Sequence, residues 1–112
     1  MQKHKVIWSP SAEQDLEDII LYIDEENPIN AQTIFEKIQN VTVNLELYPS
    51  KGKVIPELKA FGITSFQQIV LSPWRILYRQ SNSTVYVMAV IDSRRDIEDI
   101  LFNRITRESN SS

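Results

Sequence analysis

The stretch FQQIVLSPWRILYRQSNSTVYVMAVI, residues 66–91, carries the reading of the fold. Within it Phe66 to Leu71, Trp74 to Arg79 and Val85 to Ile91 are rich in β-branched and aromatic residues and bounded by turn signals, the pattern of strands. Ser72-Pro73 and Ser81-Asn82-Ser83 separate them. Those joins are too short for crossovers, so the three strands form an antiparallel meander. On the middle strand Trp74, Ile76 and Tyr78 share one face and are expected in the core. The opposite face carries Arg75, Leu77 and Arg79, two cations flanking an apolar residue, and is expected to seat a partner's apolar segment with charged ends.

Upstream of this meander the hydrophobic period is 3.6 rather than 2. Ser9-Pro10 supplies a helix cap followed by proline at the first helical position, where its missing N–H costs nothing. Ala12, Leu16, Ile19, Ile20 and Ile23 then form one apolar stripe. Asn27-Pro28 repeats the signal, and Ala31, Ile34, Phe35, Ile38 and Leu45 mark a second amphipathic helix stopped by Pro49. The two helices, Pro10–Glu25 and Pro28–Leu47, are expected to form an antiparallel hairpin. His4 to Trp8 is a short strand. Beyond the meander a third helix is expected to open near Asp92-Ser93, with Ile97, Ile100, Leu101 and Ile105 on one side. The class is α+β, in the order β-α-α-β-β-β-α, with the hairpin packed on one face of a curved antiparallel sheet.

The chain has 112 residues, enough for one core and too few for two. Residues 1–106 are read as one domain and 107–112 as a polar, flexible tail. There is no cysteine, which removes disulfides and thiolate metal sites and fits a reducing compartment. No signal segment and no membrane span are legible, so a cytoplasmic location is expected.

The net charge is −3, so the molecule as a whole is not a generic nucleic-acid binder. Its distribution is uneven. Seven acids and no base lie between Ser11 and Pro28, while all six arginines lie after residue 70. One reading is a solvated acidic helix face with scattered surface arginines. The other is an anion-facing patch on the C-terminal half.

Four motifs, in order, resemble the RelE/ParE toxin superfamily. Trp8-Ser9-Pro10-Ser11-Ala12-Glu13-Gln14-Asp15-Leu16-Glu17-Asp18-Ile19, with Tyr22-Ile23 behind it, is similar to the family's opening. Gly52-Lys53-Val54-Ile55-Pro56-Glu57-Leu58 resembles the Gly-Arg-x-x-Pro-Glu-Leu loop of ParE-like members. Pro73-Trp74-Arg75-Ile76-Leu77-Tyr78 and Val90-Ile91-Asp92-Ser93-Arg94-Arg95-Asp96 resemble its two later signatures, with Asp92 where histidine is commoner. The resemblance implies a toxin neutralised by a cognate antitoxin that wraps it with a helix and an extended strand, operator DNA being reached only through the antitoxin. It implies no cofactor and no metal.

The same resemblance implies two activities. RelE-like members cut messenger RNA in the ribosomal A site, and ParE-like members bind and poison DNA gyrase. RNA cleavage needs a base, an acid and a cation cluster for the phosphate. Lys51, Lys53, Arg75, Arg79, Arg94 and Arg95 could supply the cations. The acid and base are less evident: the single histidine, His4, reads as a surface residue, and Ile97 to Ile105 contains neither His nor Tyr. Tyr86 and Glu57 are the substitutes, catalytic only under the nuclease reading. The balance favours the gyrase reading and a binder rather than an enzyme. A fold-retaining module without toxicity is the third reading. Arg94 and Arg95 admit two roles, a surface Arg–Asp network holding the last helix, or an anion- and partner-binding corner shared with Arg75, which is expected to lie opposite about residue 89.

Overall fold

The computed structural model describes residues 3–110, with side chains to residue 106. The chain runs through β1 (Lys5–Trp8), α1 (Pro10–Asp24), α2 (Pro28–Val43), a 3-10 turn (Asn44–Glu46), β2 (Lys53–Val54), α3 (Pro56–Lys59), β3 (Phe66–Leu71), β4 (Trp74–Ser81), β5 (Thr84–Asp92) and α4 (Ile97–Asn110). The α+β order holds, with the short β2 and α3 added inside the loop that follows Pro49. Both helix starts form as their caps require: Ser9 Oγ accepts from the Ala12 N–H at 3.0 Å, and Asn27 Oδ1 from the Asn30 N–H at 3.0 Å. The second helix ends earlier than Leu47, because its last turn tightens into the 3-10 form. Helix α4 runs to Asn110, four residues into the stretch read as a tail, and residues 111–112 lie outside the described part.

The five strands lie in the order β1-β5-β4-β3-β2. The meander is antiparallel, while β1 joins the other side of β5 in parallel, Lys5 facing Thr84 and Trp8 facing Val87. The hairpin α1–α2 covers one face: Ala12, Leu16 and Ile38 pack on Ile76, Val87 and Val90. Tyr78, Val85 and Leu45 continue this core toward the 3-10 turn.

The second face is also covered. Ile55, Leu58, Ile97 and Leu101, from the β2–α3 segment and α4, pack on Leu77, Met88, Ala89 and Ile91. Consecutive residues Met88 and Ala89 reach the same face because β5 carries a bulge: Leu77 pairs with Ala89 and Tyr78 with Val87, leaving Met88 extra. The architecture is therefore helix, sheet, helix. Leu77 has no exposed surface and belongs to the core, which corrects its expected role as a seat for a partner. The hairpin turns on Asn82-Ser83 alone, and that turn and the bulge each move the register by one, so Arg75 lies opposite Ile91 rather than residue 89.

Candidate functional site

The motif loop is anchored before any charged group is placed. Tyr78 is fully buried, and its hydroxyl donates to the Pro49 carbonyl at 2.8 Å and accepts the Gly52 N–H at 2.9 Å. Burial pushes this phenol above its ordinary range, with the Gly52 N–H opposing. A Cβ on Gly52 would lie 2.6 Å from both the Gln68 carbonyl oxygen and the Tyr78 hydroxyl, so only glycine fits that approach. The anchored loop leads into β2 and α3, where Pro56 fits the first helical position and Glu57 follows in the first turn.

Glu57 then meets Arg75. The guanidinium donates from Nη1 and Nη2 to the two carboxylate oxygens at 2.6 and 2.8 Å, and from Nε to Gln68 Oε1 at 2.7 Å. This fork, from β4 to α3, holds the Glu57 carboxyl below its ordinary range, the Arg75 hydrogen bond being the main cause. Arg75 is only 8% exposed. Both residues were site candidates, Arg75 for an anion or antitoxin and Glu57 for acid–base work. They neutralise each other instead, and of the three residues expected to meet the antitoxin only Arg79 retains appreciable surface. Arg79 lies over the Tyr86 ring, 4.5 Å from its centroid, placing a cation beside a phenol on the second face of the sheet.

Arg94 and Arg95 sit in the turn before α4, not in its first turn. Asp96 caps that helix, accepting the Asp99 N–H at 3.2 Å. Arg94 folds back on Asp92 through Nε and Nη2 at 2.9 and 2.7 Å, and its backbone N–H reaches the same carboxylate at 2.9 Å. Those bonds lower the Asp92 carboxyl to about 2. The corner expected between Arg75 and these arginines does not assemble, because Arg75 is turned toward Glu57. Arg94, Arg95, Trp74 and Tyr22 instead border a cleft of mixed polar and apolar lining, about 440 Å³, beside the end of α1. Lys51 and Lys53 are exposed on either side of Gly52, by the β2 edge. His4 is half-buried rather than at the surface, and its Nδ1 meets no hydrogen-bond partner among the described residues.

One polar cluster was not anticipated. Strand β1 stops at Trp8, leaving the last part of β5 without a neighbouring strand on that side. Asp15 of α1 accepts the Val90 N–H at 2.9 Å, and Arg104 of α4 donates to the Met88 carbonyl at 3.1 Å. The two side chains meet at 2.5 and 2.7 Å, both largely buried. The clamp satisfies a bare sheet edge and ties the two helical layers together. Asp15 was counted with the solvated acids. Its signal was its place on the apolar stripe, three residues after Ala12 and four before Ile19.

Among the described residues no group of His, Cys, Asp and Glu is arranged to hold a metal ion, and no helix is long and apolar enough to cross a membrane. The model of one family, the ParE toxin of the type II toxin–antitoxin system parDE, matches residues 6–97. No curated protein matches the chain in sequence. Among solved structures it is similar to a chain of the chromosomal ParDE system from P. aeruginosa, with TM-score 0.66 and 15% identity, covering 80% of this chain and 96% of that one. It is also similar to a chain of the toxin–antitoxin complex RelBE2 from Mycobacterium tuberculosis, with TM-score 0.55 and 20% identity, covering 82% and 93%.

Proposed function

Because the chain belongs to the ParE toxin family of type II toxin–antitoxin systems, we propose that it acts in the cytoplasm by binding DNA gyrase as a protein partner, arresting growth until a cognate antitoxin neutralises it. The observation that carries this reading is the Arg75–Glu57 fork. It occupies the carboxylate best placed to serve as an acid or base and the strand cation best placed to hold a phosphate. A residue locked in a partly buried ion pair stiffens the scaffold and is unsuited to proton transfer. The exposed cations among the candidate site residues, Arg94, Arg95, Lys51 and Lys53, are spread along the surface, which suits contacts with a large partner better than a single phosphate. Operator DNA would be reached through the antitoxin, since the net charge of this chain is −3.

Ribosome-dependent cleavage of messenger RNA is the second reading, and it rests on Arg79 over Tyr86. A phenol beside a guanidinium could supply a proton-transfer group next to a phosphate contact. Purified protein added to a gyrase supercoiling assay and, separately, to translating ribosomes distinguishes the two. Stoichiometric loss of supercoiling, with message left intact, is the expected result. Codon-specific cuts abolished by Tyr86→Phe would replace it with the nuclease. Expression with and without the neighbouring reading frame tests both against a non-toxic module: growth arrest relieved by the neighbour is expected, and normal growth in both cultures would defeat the toxin reading.

A further inference from the structure

The cleft of about 440 Å³ beside the end of α1 is also lined by Val90 and Ile91, from the part of β5 that β1 does not cover. Three acids line it, and two are already paired, Asp15 with Arg104 and Asp92 with Arg94. What remains is a small, mixed set of polar groups. Arg95 forms no ion pair among the described residues. Asp18, the third acid, bonds only to the neutral Gln14, at 2.9 Å. The Asn30 carboxamide has no hydrogen bond among the described residues. Two aromatic rings line the same space, the half-buried Trp74 and Tyr22, which is 78% exposed. Tyr22 joins none of the three apolar clusters, so core packing does not account for it.

From this combination we infer that the cleft binds a single guanine nucleotide. The base stacks on Trp74 and Tyr22, as bases do on aromatic side chains. Its N1–H and exocyclic amino group donate to the Asp18 carboxylate, and Asn30 donates to its carbonyl oxygen. Adenine has an acceptor where guanine has N1–H, so it offers the carboxylate no such pair of donors. Arg95 takes the phosphate. The volume lies within the range of about 300–1,000 Å³ for ligand pockets, and a few polar groups beside apolar walls is their usual composition. A nucleic-acid strand is disfavoured, because the seven acids between Ser11 and Pro28 would repel its further phosphates, whereas a mononucleotide brings phosphate to Arg95 alone. One guanidinium falls short of the cation cluster that phosphoryl chemistry needs, so the nucleotide is a ligand and not a substrate. Arg79 and Tyr86 lie toward the other end of β4 and β5, and the binding requires neither gyrase nor the ribosome.

Calorimetric titration of the full chain with GMP, AMP, guanosine and a short single-stranded oligonucleotide is the test. Saturable binding of one GMP is expected, with AMP and guanosine each weaker by about tenfold, roughly one decade in Kd. Asp18→Asn should remove the preference for GMP over AMP, and Arg95→Gln the preference for GMP over guanosine. Tyr22→Ala should weaken all three by several-fold, whereas Tyr48→Ala, an exposed tyrosine remote from the cleft, should change nothing. All four positions are exposed, and unchanged melting of each variant is checked first. No saturable GMP binding, equal binding of AMP, or a preference that survives Asp18→Asn overturns the proposal. So does an oligonucleotide that binds more tightly than GMP and gains affinity with length, which would make the cleft part of a nucleic-acid surface.

Discussion

Arg75 and Glu57, eighteen residues apart in the chain, close a two-pronged ion pair that fixes the short helix α3 to the middle strand of the sheet. The arginine side chain is 10% exposed and the carboxylate 32%. The pair is thus buried on one side and wet on the other, and its two halves are not equivalent.

Removing the acid strands a buried cation, so Glu57→Ala should destabilise the protein by about 3 kcal/mol, the lower end for breaking a buried pair. Arg75→Met leaves its partner at the surface and should cost less. The double variant Arg75→Met/Glu57→Ala should recover much of the loss. Urea midpoints of the four proteins give the coupling directly, and additive losses would show the fork to contribute nothing as a pair.

The same pair sets an acid dependence. A carboxyl lowered in the folded state contributes stability that is fully present above its unfolded value, ordinarily 4.5, and lost as pH falls through the folded one. Stability should therefore fall on acidification below about 4.5 and less steeply in Glu57→Gln. Denaturation curves at a series of pH values check this, and identical slopes in both proteins would contradict it.

Phe35 and Ile38 lie on the same helix and differ in depth. Ile38 is fully buried, whereas Phe35 is half-buried and borders an open groove between α1 and α2. Ile38→Ala should cost about 2–5 kcal/mol. Phe35→Ala should cost about 1–2 kcal/mol, well under the range for a fully buried aromatic. Thermal melts of the two variants side by side decide the order.

Gly52 offers no room for a methyl group, since a Cβ would meet the Gln68 carbonyl oxygen at 2.6 Å. Gly52→Ala should lower stability by about 1–3 kcal/mol, the cost of overpacking. Hydrogen exchange in the variant should quicken first at the backbone N–H of position 52, as its bond to Tyr78 is lost.

Arg94 is 84% exposed at its side chain, and among the described residues it pairs only with the neighbouring Asp92. Arg94→Ala/Arg95→Ala should therefore change the melting temperature little, as surface pairs are worth about 0–1 kcal/mol. Growth arrest should weaken if these arginines meet the target. Intact folding with full toxicity would move the contact to Lys51 and Lys53.

Periodicity and caps were enough to determine the helical hairpin, the three-stranded meander and the α+β class. Each follows from interactions within a few residues: Ser9 and Asn27 cap helices that start at prolines, and the short joins after Leu71 and Arg79 force antiparallel neighbours. The family motifs were legible for the same reason, being contiguous. What the sequence could not determine was the partner of each charged side chain. Arg75 read as a free cation until α3, too short to show a period, brought Glu57 over it. Asp15 read as one of seven solvated acids until the early end of β1 exposed the β5 edge and Arg104 arrived from 89 residues away. Leu77 read as a partner's seat until α4 covered it, and one bulged residue in β5 moved the register opposite Arg75. These are decisions of the tertiary structure: local patterns specify which faces are apolar, and only the packed layers decide which charges meet and which surfaces stay open.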